Sequence, residues 1–210
     1  MHKINILGLG PGHSDYVMPI TIKYIKDSDI LIGGKRNIES LGTLAENKEI
    51  RYIDRYLDEL TAYIKKNINK KISLIVSGDP GFYSMTAFMV RNFGRDDINI
   101  ISGISSMQYM FSAISHSYED AFIGSVHGRT CDYVTPMKEG KNIGLLTDKK
   151  ITPQVIAKTL VENGVEGTIY VGERLSYNDE KLTSMDVKNM QNSDIDFEIN
   201  VVTVINKNNN

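Results

Sequence analysis

Short apolar runs, several of which end at or just before a glycine, alternate with longer amphipathic stretches along this chain. The apolar runs have the length of buried strands, and the stretches between them have the length of helices. In the stretch 55–69 the apolar residues recur at helical spacing, while charged residues occupy the other positions. This alternation predicts an α/β fold.

The same pattern predicts where the elements lie. Strands of the first half are expected near residues 3–8, 29–33, 50–53, 72–77 and 98–101. Helices are expected at 18–28, 36–46, 55–69, 83–93 and 104–115. In the second half, strands are expected near 121–126, 142–147, 168–172 and 198–205, with a helix at 153–163.

A polar segment near the midpoint, SAISHSYED at 112–120, predicts a boundary between two domains. We therefore expect an N-terminal α/β domain at 1–113 and a C-terminal α/β domain at 120–205. The final residues 206–210, NKNNN, have the composition of a disordered tail.

Composition excludes several classes of partner. The net charge of −2 gives no general attraction to nucleic acid or to anionic membranes. Cys131 is the single cysteine among the 210 residues, which excludes an internal disulfide and a multi-cysteine metal site. No segment approaches the roughly 18 apolar residues that a membrane span needs. We expect a cytoplasmic protein without a metal site, a nucleic-acid partner or a membrane.

The first strand runs into a glycine-rich loop, ILGLGPGHSD at 6–15, which resembles the start of a nucleotide-binding motif. A Walker loop would need Lys-Ser or Lys-Thr after the glycines, and neither is present. A Rossmann fingerprint would have a third glycine where His13 stands and an acid at the end of the second strand, which here reads LIGGKR. By itself the loop is explained equally well by a tight turn.

Two further loops repeat this design, LIVSGDPGFYS at 74–84 and ISGISSMQYMF at 101–111. In open α/β sheets, ligands bind at the carboxyl ends of the strands, where such loops gather. A shallow cleft lined by backbone groups suits an uncharged or zwitterionic ligand better than a triphosphate. Helix capping explains Asp79, Ser105 and Ser106 equally well.

The blocks GLGPG, SGDPGFYS and GISSMQ, in that order and spacing, resemble the tetrapyrrole methylases, which transfer methyl groups from S-adenosylmethionine. Four more blocks, GGKRNIE, HGR, LLTD and VGERLSYNDEKL, resemble the members that methylate C-5 of a cobalt-containing corrin precursor in cobalamin biosynthesis. The resemblance spans essentially the whole chain. It departs from the family pattern at His13, where an acid is usual, and at Ser176 and Asn178, where glycine and proline are usual.

The resemblance implies two α/β domains with the active-site cleft between them, and a homodimer. It implies a donor site formed by Pro11, Gly78, Asp79, Pro80, Gly81, Phe82, Tyr83, Ser105, Ser106, Met107, Leu146, Thr147, Val171, Gly172 and Glu173. The candidates for a catalytic base are His127, Glu173 and Tyr83. Candidates for contacts with the macrocycle are Lys35, Arg36, His127, Arg129 and Arg174, because arginine pairs with carboxylates in a bidentate manner.

The reaction sets modest demands on the protein. Transfer from a sulfonium disperses charge, so alignment and exclusion of water matter more than a strong acid. An imidazole ordinarily titrates near neutrality, which suits His127 as a base, although donation of a hydrogen bond to the substrate explains it equally well. Cobalt would arrive inside the substrate.

Other functions remain open from the sequence. They are methylation of another corrin carbon or of a different substrate, a nicotinamide-dependent oxidoreductase, and a nucleotide-binding module without catalysis. Some relatives carry a second methyltransferase domain that also decarboxylates an acetate side chain. We expect that step to reside on a separate polypeptide.

Overall fold

The computed structural model describes residues 4–209. Lys3, the predicted start of the first strand, and Asn210, the end of the predicted tail, lie outside the described residues. The chain forms two compact units, Met1–Ser105 and Ser106–Asn210. Each unit is built on a five-stranded sheet with helices. The predicted fold class, two α/β domains, is confirmed.

The sheet of the first unit is entirely parallel and has the order β3-β2-β4-β1-β5. Its strands are β1 Ile4–Gly8, β2 Ile30–Gly33, β3 Glu49–Tyr52, β4 Ile72–Val76 and β5 Ile98–Ile101. All five lie within a residue or so of their predicted positions. Because every pair is parallel, the carboxyl ends of the strands, and the glycine loops that follow them, lie at one edge.

Helices cover both faces of this sheet, which explains why its three central strands are buried along their whole length. They are α1 Pro19–Asp27, α2 Lys35–Glu39, α3 Leu57–Lys66 and α4 Thr86–Phe93. In β2, Ile30 and Ile32 pack with α3 and α4, whereas Leu31 packs with α1 and α2. The helix predicted at 36–46 ends early at Glu39 and is followed by a 3-10 turn, Gly42–Ala45, because Gly42 has a φ of 52°.

The second unit has a mixed sheet of order β6-β7-β10-β8-β9, in which only β6 and β7 pair in parallel. Its strands are β6 Phe122–Ser125, β7 Ile143–Leu146, β8 Gly167–Glu173, β9 Lys181–Asp186 and β10 Asn200–Asn206. Its helices are α5 Ser106–Ala113, α6 Val134–Lys138, α7 Pro153–Glu162 and α8 Val187–Met190. The pattern did not predict β9, α6 or α8.

The structure divides the chain at Ser105 and Ser106, before the predicted boundary at 112–120. The reason is that α5 packs on the sheet of the second unit. A Cβ atom added to Gly144 would lie 2.9 Å from Phe111 of α5, and one added to Gly172 would lie 2.6 Å from Met110. Two strands of this sheet therefore carry glycine where the helix approaches.

The tail predicted at 206–210 has regular structure over its described part. Asn206 is the last residue of β10, and Lys207–Asn209 form a 3-10 turn. The side chain of Asn206 donates to the carbonyl oxygen of Met137 at 2.7 Å, and that of Asn209 donates to the carbonyl oxygen of Gly140 at 2.7 Å. These bonds attach the segment to the end of α6 and the turn after it.

Candidate active site

Three glycines from three strand ends meet in the first unit, and we call Gly8, Gly78 and Gly103 the glycine junction. A Cβ atom on Gly8 would lie 2.6 Å from the Gly78 carbonyl oxygen and 2.8 Å from the Gly103 nitrogen. Gly78 also exchanges two backbone hydrogen bonds with Gly10, at 3.2 and 2.8 Å. The glycines therefore allow three loops to approach through their backbones, at the edge where the strands end.

Asp79 ties two of these loops together. Its Oδ1 accepts a hydrogen bond from the Gly81 backbone nitrogen at 2.7 Å, and its Oδ2 accepts one from Gly103 at 3.0 Å. Helix α4 begins only at Thr86 and has Met85 as its N-cap, so Asp79 does not cap it. The carboxylate organises the loop, and its oxygens already have backbone partners.

The rest of this loop presents both backbone and aromatic surface. Pro80 is buried and its carbonyl oxygen accepts from the hydroxyls of Ser84 and Thr86, whereas Gly81 is exposed. The rings of Phe82 and Tyr83 meet edge to face, with centroids 4.9 Å apart. Tyr83 has a φ of 47°, a left-handed conformation that is costly for a non-glycine residue and concentrates at functional sites.

Residues predicted to bind the methyl donor in the first glycine loop and around the start of α5 differ in accessibility. Pro11, in the first glycine loop, is half-buried, and Ser105 is 5% exposed. Ser106 begins α5. The Met107 side chain is buried and packs where Gly144 of β7 gives it room. Met107 thus has a core role in the second unit.

In the second unit, His127 lies in the loop after β6 and beside the loop after β7. Its Nδ1 lies 3.1 Å from the Thr147 carbonyl oxygen, and its backbone nitrogen donates to Ser125 Oγ at 3.2 Å. The Thr147 hydroxyl is buried between two oxygens of Asn200, at 2.7 and 2.8 Å. Leu146, the last residue of β7, is half-buried.

Asp148, which the sequence did not single out, joins the same two loops. Its Oδ2 accepts from Gly128 at 2.8 Å, and its Oδ1 accepts from Lys150 at 2.8 Å and from Ile151 at 2.9 Å. Hydrogen bonds from the backbone of Ile151, Gly128 and Lys150 lower the pKa of Asp148 to about 2. The carboxylate is therefore ionised at neutral pH.

Glu173 is the last residue of β8 and Arg174 follows it, and the two side chains have different surroundings. Glu173 is 7% exposed, and its Oε1 accepts from the Glu198 backbone nitrogen at 2.8 Å. Arg174 is exposed and has a φ of 49°. Its guanidinium bonds to Asp179, which raises the pKa of Arg174, and lies 5.1 Å from the centroid of Tyr177.

The remaining predicted site residues lie either inside strand β8 or on the surface. Val171 and Gly172 lie inside β8, where both neighbouring strands use the backbone; the Val171 side chain is in the core and Gly172 faces Met110 of α5. Lys35 and Arg36 are exposed at the start of α2, and Lys35 is 3.7 Å from Glu39. Arg129 is exposed in the loop after β6.

The described part of the chain contains no cluster of metal-binding side chains and no candidate membrane span. Between residues 4 and 209, no three His, Cys, Asp or Glu side chains gather as a metal-binding group. None of the helices in the same range has the length and apolar character needed to cross a bilayer.

A family model for tetrapyrrole (corrin/porphyrin) methylases matches residues 3–191. The chain belongs to the tetrapyrrole methylases. It is therefore a C-methyltransferase that uses S-adenosylmethionine as its methyl donor.

Individual relatives span nearly the whole chain. A probable cobalt-precorrin-7 C(5)-methyltransferase of Methanocaldococcus jannaschii is 32% identical over 199 residues, covering 92% of this chain and 94% of that protein. The cobalt-precorrin-7 C(5)-methyltransferase of Salmonella typhimurium is 28% identical, covering 96% and 98%. A precorrin-6Y C(5,15)-methyltransferase [decarboxylating] of a Sinorhizobium species is 24% identical, covering 86% of this chain and 44% of that protein.

The fold is also found among solved structures. Uroporphyrin-III C-methyl transferase from Thermus thermophilus, complexed with S-adenosyl homocysteine, matches with a TM-score of 0.78 at 16% identity. The match covers 97% of this chain and 92% of that one.

Proposed function

We propose that this chain transfers a methyl group from S-adenosylmethionine to C-5 of cobalt-precorrin-7 in cobalamin biosynthesis. The observation that carries the proposal is the similarity to two proteins of that name, 32% and 28% identical over more than nine-tenths of both chains. Relatives named for other corrin carbons are less similar, at 26% for C(17) and 24% for C(11). This ranking favours C-5 over another corrin carbon.

The loop 78–83 and Pro11 and Ser105 are the proposed contacts with the donor in the first unit. An adenosyl group needs apolar surface and backbone donors or acceptors, and this loop offers both. Gly81 is exposed, and a Cβ atom there would lie 2.9 Å from Asp79 Oδ1. The residues present therefore fit the donor. In the second unit Leu146, Thr147 and Glu173 remain proposed contacts.

The reaction is proposed as an in-line displacement in which the donor supplies an electrophilic methyl group on a sulfonium. The protein aligns the ring carbon and excludes water. His127, Glu173 and Tyr83 remain the candidates for a base, and exposed cations bind the carboxylates of the macrocycle. Those cations are Lys35, Arg36, Arg129 and Arg174.

We expect the purified protein to transfer a labelled methyl group from S-adenosylmethionine to cobalt-precorrin-7 and to place it on C-5. The measurement is a carbon NMR spectrum of the product made with methyl-¹³C donor. In a thermal-shift comparison, S-adenosylmethionine and S-adenosylhomocysteine should stabilise the protein, and NAD and ATP should not. Equal stabilisation by NAD would favour the oxidoreductase alternative, and a label on another ring carbon would contradict the C-5 assignment.

A substitution at Gly81 tests the donor site. Gly81→Val should lower donor affinity at least tenfold, because its side chain would displace the Asp79 carboxylate that shapes the loop. The protein should stay folded, since apart from its two chain neighbours no backbone atom of the described residues lies within 4 Å of the new Cβ. Gly34→Val is the control, because nothing lies within 4 Å of a Cβ there. Calorimetry with S-adenosylhomocysteine measures both, and normal affinity in folded Gly81→Val would remove this loop from the site.

Assembly and location complete the proposal. We propose a cytoplasmic homodimer, which light scattering of the purified protein would test. We also propose that a separate polypeptide performs the decarboxylation and the companion methylation. The two relatives named only for C(5) methylation match this chain over 94% and 98% of their length, whereas the decarboxylating relative is matched over 44%.

A further inference from the structure

Asp148 makes one structural unit of the two loops that carry His127 and Thr147. One carboxylate oxygen holds the loop after β7 through Lys150 and Ile151, and the other reaches the neighbouring loop at Gly128. Gly128 has a φ of 64° and directly follows His127. The position of the imidazole therefore depends on an anchor one residue away.

The hydrogen-bond partner of the His127 imidazole determines which ring nitrogen carries the hydrogen. A carbonyl oxygen only accepts hydrogen bonds, so Nδ1, which lies 3.1 Å from the Thr147 carbonyl oxygen, must be the donor. In the neutral imidazole the hydrogen is then on Nδ1, and Nε2 has the free lone pair. His127 is an exposed residue, as a base that meets a bound substrate must be.

We propose that Asp148 is a positioning residue that holds His127 in the Nδ1–H form, so that Nε2 accepts the proton released by the methylated ring carbon. This proposal rests on the proposed function. The ring carbon forms the new C–C bond with a π electron pair, and the S–CH₃ bond breaks with its electrons remaining on sulfur. The C–H electron pair then restores conjugation as the proton moves to Nε2.

Asp148→Asn isolates the connection between the loops. An amide has one oxygen, so asparagine keeps the bonds to Lys150 and Ile151 only by turning its NH₂ group toward the Gly128 N–H. The opposite orientation loses the other two bonds. Asp132→Asn is the matched control, because Asp132 accepts from the backbone of Val134 and Thr135 at the start of α6 through a single oxygen, Oδ1, which an asparagine keeps.

The first experiment reads the tautomer without substrate. Imidazole ¹⁵N NMR at about pH 8, where an ordinary imidazole is neutral, should show His127 as the Nδ1–H form in the wild type and in Asp132→Asn. Asp148→Asn should give a mixture of both forms. His127→Gln assigns the signal. An Nε2–H form in the wild type, or an unchanged tautomer in Asp148→Asn, would overturn the positioning role even if methylation is confirmed.

The second experiment uses steady-state methylation of cobalt-precorrin-7. His127→Gln should lower kcat about 100-fold or more, in the range of general-base catalysis. Asp148→Asn should lower kcat about tenfold, with affinity for S-adenosylhomocysteine within about twofold and a melting temperature close to that of Asp132→Asn. The double variant should be no slower than His127→Gln, because Asp148 acts through the histidine.

The outcomes separate the two proposals. A further tenfold loss in the double variant would show that Asp148 acts independently of His127, and full activity of His127→Gln would overturn the proton acceptor. If the wild type does not methylate cobalt-precorrin-7, the proposed function fails, and the catalytic part of this inference fails with it. The NMR result still decides whether Asp148 sets the tautomer.

Discussion

Gly8→Ala is expected to destabilise the folded protein by about 3 kcal/mol or more, a large effect for the addition of one methyl group. The new Cβ would lie 2.6 Å from the Gly78 carbonyl oxygen, 2.8 Å from the Gly103 nitrogen and 2.9 Å from the Gly103 Cα. All three are backbone atoms, so no side-chain rotation relieves the contact. The strand ends of β1, β4 and β5 must separate instead.

Urea-induced unfolding of the two proteins measures this effect. Gly34→Ala is the matched control, because a Cβ atom on Gly34 meets nothing within 4 Å and its φ of −61° is accessible to alanine. Its stability should stay within about 0.5 kcal/mol of the wild type. If Gly8→Ala were equally mild, the close approach of the three loops would be wrong, and with it the shape of the proposed donor site.

The strands of the first unit are predictable because each carries its own signal. In a parallel sheet covered on both faces, the central strands are short apolar runs, and a glycine follows where the chain must turn. One edge strand of the second sheet lacks this signal. β9 has a polar sequence, KLTSMD, and lies at the edge of the second sheet with alternately exposed positions, so nothing in its composition distinguishes it from a loop.

The division between the units depends on contacts between distant residues. Helix α5 has an ordinary amphipathic pattern, and the polar segment after it marks a plausible boundary. Its partners Gly144 and Gly172 are far along the chain, and their role is visible only when the helix lies against them. A glycine within a strand indicates a close approach of another element, but not which one.

The candidate site is likewise predictable from the sequence only in part. The glycine loops are predictable, because their composition restricts what the backbone can do. The acceptor roles of Asp79 and Asp148 are not, since a carboxylate in a turn has the same sequence signature whether it bonds within its own loop or also to a neighbouring one. The aspartate in LLTD was visible, and its second partner, Gly128, lies 20 residues away.

We propose that Arg129 and Arg174 contact the macrocycle and do not contact the methyl donor. Arg129→Ala and Arg174→Ala should each weaken the macrocycle at least about tenfold, the cost of a charged hydrogen bond, and leave donor affinity within about twofold. Lysine should restore only part of the loss, because it lacks the planar fork. Donor calorimetry and macrocycle kinetics at two salt concentrations measure both quantities.

The ion pair between Arg174 and Asp179 provides an independent test of this assignment. Both side chains are about half exposed, at 46% and 60%, and exposed ion pairs contribute little, so we expect a substrate carboxylate to replace Asp179. Asp179→Asn removes the competing charge and should lower KM for the macrocycle about threefold at low salt. The effect should disappear in the Arg174→Ala background, since Asp179 acts through that guanidinium. A higher KM in Asp179→Asn would mean that the ion pair itself holds Arg174 in the active orientation. Loss of donor binding in Arg129→Ala or Arg174→Ala would place that arginine in the donor site.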